Sequence, residues 1–405
     1  KALLAWDTGT GKTYAAIVLA KNLGKKTLVV CPAAVKGSWL RVAIELNVEI
    51  ELETLERLRL GRTRWWEQVI GWSIKDWLVI LDEAHVCGGQ GTLQSQLAES
   101  LHNSGNYTLW LSATLAKSLL RLKAFSKVFG LRTVGWQTWL KEHGGRFEGR
   151  WKRFELDPIA EQKSLEMLNR RIFPSLGTRL RIADMPKSFP KGSVEVLCQD
   201  MSSSAIATEY EDLEIALQSI NEKLEMRKLF IHALQRVELL KCAHIVEMAH
   251  QHVEEGKAVA IFVQFTQSVE FLKNAFGLKE AISGDTPLDV RESLIKDFVE
   301  DKTSIIVCNI RAGGTGITLN KYASGKNRVA LICPHPDADV VKQALGRVHR
   351  AEGSDNQQYI LFAENTPEED IAISLREKLK NMHTFNGDEI AGWLEHGFNS
   401  IIEKK

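Results

Sequence analysis

Two short stretches near the amino end carry the residue types of phosphate chemistry. In "DTGTGKT" (7–13), Gly9, Thr10 and Gly11 form a tight turn ahead of a helix-period stretch over Lys12–Leu23. Such a turn points backbone N–H groups inward at a helix N-terminus, whose dipole favours anions. Lys12 is spaced to reach the β/γ-phosphates of a nucleotide, and the Thr13 hydroxyl to ligate Mg²⁺. Trp6 occupies the first position of the strict pattern G-x-x-x-x-G-K-[ST], so the loop departs from it there. The second stretch, "WLVILDEAH" (77–85), puts Asp82 and Glu83 directly after an apolar run. A parallel sheet presents ligand-contacting groups at that place, beyond its carboxyl edge. Asp82 is suited to hold Mg²⁺ through water, and Glu83 to orient or deprotonate an attacking water. Taken singly, these are a glycine turn and an acidic helix cap. In this order they describe an NTP-hydrolysing module.

The elements that must position them follow a simple alternation. Strand candidates Leu3–Trp6, Thr27–Cys31, Leu78–Leu81 and Thr108–Leu111 are separated by helix patterns such as Lys12–Leu23 and Leu93–Leu101. The pattern returns with Val259–Val263, Ser304–Cys308, Val329–Ile332 and Gln358–Phe362, between helical stretches at Ser268–Phe276, Pro287–Val299 and Ala338–Leu345. Strands apolar throughout suit a parallel sheet covered on both faces. Two α/β units in one chain are expected.

Length agrees, since 405 residues exceed the roughly 250–300 at which one core stops growing. The composition, 44% hydrophobic and 25% charged, is that of a globular chain. The six cysteines form no C-x-x-C pair and sit in or beside apolar runs, as small buried hydrophobes of a reducing, intracellular compartment do. The eleven histidines show no ligand spacing, and no apolar run approaches the roughly 18 residues of a membrane span. The sequence begins at Lys1, without a methionine and almost on the glycine loop, as a piece of a longer chain would. A formal net charge of +1 conceals a polarity, with 17 Lys/Arg against 7 Asp/Glu over residues 115–191 and 5 against 11 over 200–255. A basic middle is either a phosphate-backbone surface or a solvated helix face and linker.

Eight segments in order resemble those of superfamily 2 helicases, and most closely the Swi/Snf-like double-stranded DNA translocases. They are "DTGTGKT" (7–13), "LVVCPAAVKGSW" (28–39), "DEAH" (82–85), "LSATL" (111–115), "IFVQFTQSVEFL" (261–272), "ISGDTP" (282–287), "RAGGTGITLN" (311–320) and "QALGRVHR" (343–350). The tail "GSDNQQYILFAENTPEEDIAISLREKLKNM" and the basic stretch with a proline turn, "RRIFPSLGTRLRIADMPKSFPKGSVEVLCQD", are also similar to the Swi/Snf type. Gly346 before Arg347 and "PHP" (334–336) depart from it. The segment that contacts adenine in that superfamily is not part of the sequence, so a preference for ATP is implied by the resemblance alone. A compact phage, viral or bacterial member, cytoplasmic or nucleoid-associated (nuclear if eukaryotic), fits the size.

The resemblance implies two RecA-like lobes, 1–135 and 196–405, joined by a basic segment at 136–195, with ATP and nucleic acid bound at the cleft between them. Gln343, Arg347 and Arg350, spaced four and three apart and so on one helix face, would complete the catalytic set as the arginine-finger segment. Ser112 and Thr114 of "SAT" would couple the γ-phosphate to the strand-binding face, or form a plain turn. Gly314 and Thr315 would meet nucleic acid and Gly316 the nucleotide. Thr266 would be either a second phosphate contact or a helix N-cap. Trp65, Trp66, Trp136, Trp139 and Trp151 are base-stacking candidates or half-buried packing. Grips on backbone phosphates imply little sequence specificity and strong salt dependence. The expected activity is a monomeric, ATP- and Mg²⁺-dependent motor tracking along duplex DNA. A strand-separating DNA or RNA helicase and a nucleotide-gated clamp stay open as alternatives.

Overall fold

Apolar runs without alternation become the central strands of two parallel sheets, and the helix-period stretches cross between them. The computed structural model describes residues 1–61, 63–148, 153–185, 190–199, 223–313, 317–320, 325–349 and 355–402. Two lobes are distinguished, residues 1–185 with 378–390, and residues 186–377 with 391–405.

The first lobe opens with β1 (Ala2–Trp6), α1 (Lys12–Leu23), β2 (Thr27–Val30), α2 (Lys36–Glu45), β3 (Glu51–Glu53) and α3 (Leu55–Leu58). A small hairpin, β4 (Trp66–Glu67) with β5 (Gly71–Trp72), precedes β6 (Leu78–Leu81), α4 (Leu93–Ser100), β7 (Tyr107–Leu111) and α5 (Lys123–Val128). After α6 (Trp136–Glu142), a second hairpin, β8 (Gly145–Glu148) with β9 (Arg153–Leu156), leads to α7 (Pro158–Ile172) and β10 (Gly177–Leu180). The sheet order is β10-β1-β7-β6-β2-β3, every described pair parallel. All four residues of β6 are buried, as a strand covered on both faces requires. Its carboxyl end and that of β1 release the two phosphate-type segments on the same sheet edge.

The segment 136–185, expected as part of a linker, is built into this lobe. Trp139 and Leu140 of α6 and Leu165, Leu168 and Ile172 of α7 share one buried cluster with Leu81 and Trp110, and β10 pairs with β1 as the sheet's edge. The apolar stripe of α7 has that core to bury against. Part of the basic charge is also spent internally, with Lys123, Lys127 and Arg132 all within 3.8 Å of Glu99. Among the tryptophans, Trp66 and Trp139 are buried, Trp65 donates to Glu51, and Trp136 stacks on Trp139. Packing is their observed use; Trp151 lies outside the described residues.

The second lobe contains β11 (Gly192–Gln199), the long α8 (Lys223–Glu254), β12 (Ala258–Val263), α9 (Thr266–Ala275), α10 (Leu288–Val299) and β13 (Ile305–Asn309). It continues through α11 (Ile310–Gly313), β14 (Arg328–Ile332), α12 (Ala338–Leu345), β15 (Asn356–Ala363), α13 (Glu368–Asn386), α14 (Gly392–His396) and α15 (Asn399–Ile402). Its sheet order is β11-β15-β14-β12-β13, again parallel. Lys241 of α8 is buried against Glu368 at the start of α13. Its Nζ donates to both carboxylate oxygens (2.7 and 2.8 Å) and to the Leu361 carbonyl (2.8 Å). The last part of α13, from Lys378, belongs to the first lobe, where Phe385 lies in the core.

Among the described residues, no helix is long and apolar enough to cross a membrane, and no cluster of His, Cys, Asp or Glu has metal-site geometry. Five of the six cysteines are buried and none is in a disulfide.

Candidate nucleotide and nucleic-acid sites

The glycine loop connects the end of β1 to α1. Gly9 (φ 82°) and Gly11 (φ 89°) take left-handed backbone that L side chains rarely adopt. A Cβ at Gly11 would meet nothing within 4 Å, so its requirement is conformational. No side chain caps α1, and no carboxylate sits in its first turn. The amino end therefore keeps its positive field for an anion. Lys12 Nζ donates to the carbonyls of Trp6 (2.8 Å) and Asp7 (3.0 Å), and the Thr10 hydroxyl to that of Asp7 (2.8 Å). Thr13 follows at the second helical position, half-buried.

Asp82 and Glu83 leave the carboxyl end of β6, as expected. Asp82 Oδ2 accepts from the Trp39 indole N–H (2.9 Å), and Oδ1 from the Glu83 backbone N–H (3.0 Å). Burial, and then the Glu83 charge, push the Asp82 carboxyl up to about 6; the Trp39 hydrogen bond and the Lys12 ammonium oppose the rise. Lys12 and Asp82 thus act on one another across the loop. An ammonium, a hydroxyl and a carboxylate around an uncapped helix end form a donor set that fits a magnesium nucleotide.

Glu83 itself has φ 51°, a left-handed conformation that costs a non-glycine residue of order 1–3 kcal/mol. Its carboxylate lies 3.2 Å from His85 Nδ1, and the same nitrogen lies 3.3 Å from the Ser112 hydroxyl. Ser112 Oγ in turn accepts from the Thr114 N–H (3.2 Å). Thr114 is 2% exposed, and its buried hydroxyl has no hydrogen-bond partner among the described residues. Glu83, Ser112 and Thr114 are therefore brought together, with His85 as the joint.

In the second lobe, Thr266 begins α9 with its side chain exposed, and the cap position belongs to Phe265. The N-cap alternative is not what the fold uses. The preceding turn is held by Glu238 of α8, which accepts the N–H groups of Gln264 (2.8 Å) and Phe265 (2.9 Å), while Asn309 donates to the Gln264 carbonyl (2.7 Å). Gln343 is buried on α12. That helix stops at Leu345, so Arg347 falls in the following turn rather than on the same continuous helix face. Arg347 is 3% exposed and its Nη1 donates to the Ile317 carbonyl (2.9 Å), which ties the turn to the chain just after Gly316. Gly314, Thr315, Gly316 and Arg350 lie outside the described residues.

Sequence reasoning gave no role to Trp39, His85 or Glu238. Trp39 and His85 stand inside the quoted segments "KGSW" and "DEAH"; Glu238 has no local signal, because its partners are 26 and 27 residues away. Two consequences are testable. Trp39→Phe keeps the buried ring but removes the donor to Asp82. The Mg²⁺ concentration for half-maximal ATP turnover should rise about tenfold, the scale of lost outer-sphere support; an unchanged Mg²⁺ curve would reduce Trp39 to packing. Glu238→Gln leaves a single acceptor oxygen for two N–H groups and should cost about 1–3 kcal/mol in urea unfolding.

Comparison with known proteins fits this division of motifs. Residues 238–352 match the helicase conserved C-terminal domain family. A protein of Acanthamoeba polyphaga mimivirus that bears the name of an ATP-dependent RNA helicase is 27% identical over 429 residues, covering 95% of this chain and 80% of its own. A Caenorhabditis elegans homologue of the SWI/SNF-related, matrix-associated, actin-dependent regulator of chromatin subfamily A-like protein 1 is 25% identical over 417 residues. That match covers 93% of this chain and 58% of the relative.

Proposed function

We propose, from the premise that the chain is a superfamily 2 helicase-type ATPase of the Swi/Snf-like kind, that it moves along duplex DNA without reading its sequence. The observation that carries a motor rather than a simple NTPase is the contact chain Glu83–His85–Ser112. It connects the residue placed to activate water with a loop on the neighbouring strand. A change at Glu83 on hydrolysis is then felt by Ser112 and Thr114. In this reading Lys12 and the loop N–H groups hold the phosphates, Thr13 and Asp82 hold Mg²⁺, and Glu83 positions water. When bound, Mg²⁺ neutralises charge on the phosphate oxygens. Arg347 and Arg350 are proposed to stabilise the charge that develops on the γ-phosphate, with Gln343 beside them. Gly316 is proposed as a further nucleotide contact. Thr266, Gly314 and Thr315 are proposed as grips on backbone phosphates.

Duplex DNA is favoured by the Swi/Snf-type tail, which folds here as β15 followed by α13, and by the name of the nematode relative. A specific feature supports strand separation of DNA or RNA as the second reading. The β4–β5 hairpin carries Val69 (96% exposed) and Ile70 (74%) at its tip, an apolar edge suited to parting base pairs, and the mimivirus relative bears an RNA helicase name. ATPase rates with duplex DNA, single strands and RNA at two salt concentrations separate the readings, and phosphate contacts demand a steep fall with salt. Triplex displacement tests movement. Stimulation by RNA and indifference to duplex DNA would reverse the order, and an undisplaced third strand would indicate a clamp.

A further inference from the structure

Arg179 lies on β10, beside the strand that feeds the glycine loop. All five of its guanidinium N–H donors are used. Nε and Nη2 meet Asp388 at 2.9 and 2.7 Å, Nη2 also meets Asp7 Oδ1 at 2.8 Å, and Nη1 meets the carbonyls of Ala5 (2.7 Å) and Leu180 (3.0 Å). The other Asp7 oxygen accepts from the Ile182 N–H (3.0 Å), and the Asp7 N–H donates to the Leu180 carbonyl (2.9 Å). Asp7 is thus fixed on side chain and main chain alike. Its own carbonyl is one that receives Lys12 Nζ and the Thr10 hydroxyl. Whatever sets the plane of that peptide sets where the Lys12 ammonium sits.

The cluster is mostly buried, with side-chain exposures of 12% for Arg179, 13% for Asp7 and 9% for Asp388. Burial alone would weaken the guanidinium charge. Asp388 and Asp7 more than offset it, and Arg179 is held above its ordinary range. A planar fork with two carboxylates is a geometry that lysine cannot reproduce. All three residues belong to the first lobe, and Asp388 is carried there by the end of α13, which Asn386 and Asn381 anchor to the carbonyls of Ala113 and Lys117.

We propose that Arg179 is a positioning residue for the nucleotide loop, acting through Asp7, and that Asp388 is the second carboxylate that keeps it aligned. The proposal rests on the ATPase identity and is independent of which nucleic acid is moved. Its plain competitor is a tether that only fastens β10 to the sheet edge.

The test uses the full chain without nucleic acid, titrated with a fluorescent ATP analogue and Mg²⁺, with amide exchange of residues 8–12 and thermal melting measured alongside. Arg179→Lys should weaken analogue binding about tenfold and Asp388→Asn about three- to fivefold, while turnover at saturating ATP stays within about twofold. Exchange at residues 8–12 should quicken in the nucleotide-free variants. Parental affinity in both variants, whatever their melting temperatures, would leave only the tether and overturn the proposal. If Arg179→Lys does not fold, Asp388→Asn decides alone, because it leaves the Arg179–Asp7 pair in place.

Discussion

Glu83→Gln is expected to lower nucleic-acid-stimulated ATP turnover by about 10²–10⁴, the contribution of a positioned general base, while nucleotide affinity stays near parental. The substitution is nearly isosteric and keeps the same backbone preferences, so the left-handed conformation at this position carries over. Asp82 keeps both its hydrogen bonds, from Trp39 and from the backbone at 83, so the proposed Mg²⁺ contact is not disturbed. The loss therefore falls on turnover and not on binding. An amide in place of the carboxylate also changes the contact with His85 and so reaches Ser112. Turnover within tenfold of parental would move water activation to another group.

The second large effect concerns stability. Lys241→Met leaves the Glu368 carboxylate buried without its cation, an arrangement that costs about 3–5 kcal/mol. Urea unfolding at pH 8 should show that loss. Replacing both partners, Lys241→Met with Glu368→Leu, should restore most of it, because the desolvation cost then disappears with the charge. The pH dependence has a definite sign. Burial already raises Glu368 above the usual carboxylate range, and removing Lys241 raises it further. The folded variant then binds a proton more tightly than the unfolded chain, so its stability rises as pH falls through that range. Equal losses at pH 5 and pH 8 would mean that Glu368 finds another cation.

Much of the framework was legible because it rests on local signals. The helix over Lys12–Leu23, the strand over Leu78–Leu81 and the helix over Ala338–Leu345 stand at the expected residues. Each is bounded by a glycine turn, charged residues or a change of periodicity. The edge strands were not legible. "ELE" and "GTRL" carry too few apolar residues to show a period, and they become β3 and β10 because the neighbouring strands offer unpaired backbone. The loop and the acid pair could be read from residue types, but their supports could not. Trp39 meets Asp82 across 43 residues, and Arg179 meets Asp7 across 172 and Asp388 across 209. Folding alone creates such neighbours. Arg347 shows the opposite limit, since its spacing from Gln343 suggested one helix face, whereas the helix stops at Leu345 and the burial of Arg347 against Ile317 left no trace in the sequence.

That residues 378–390 complete the first lobe has a consequence for biosynthesis. A ribosome making about 5–20 residues per second needs roughly 20–75 s to travel from the glycine loop to Phe385 and Asp388. During that interval the nascent amino-terminal lobe has a gap where the Phe385 ring belongs, beside Phe125 and Phe173. Completion of the first lobe is thereby deferred until residue 390 has been made, and a chain that stops before Phe385 is born without the last piece of that lobe.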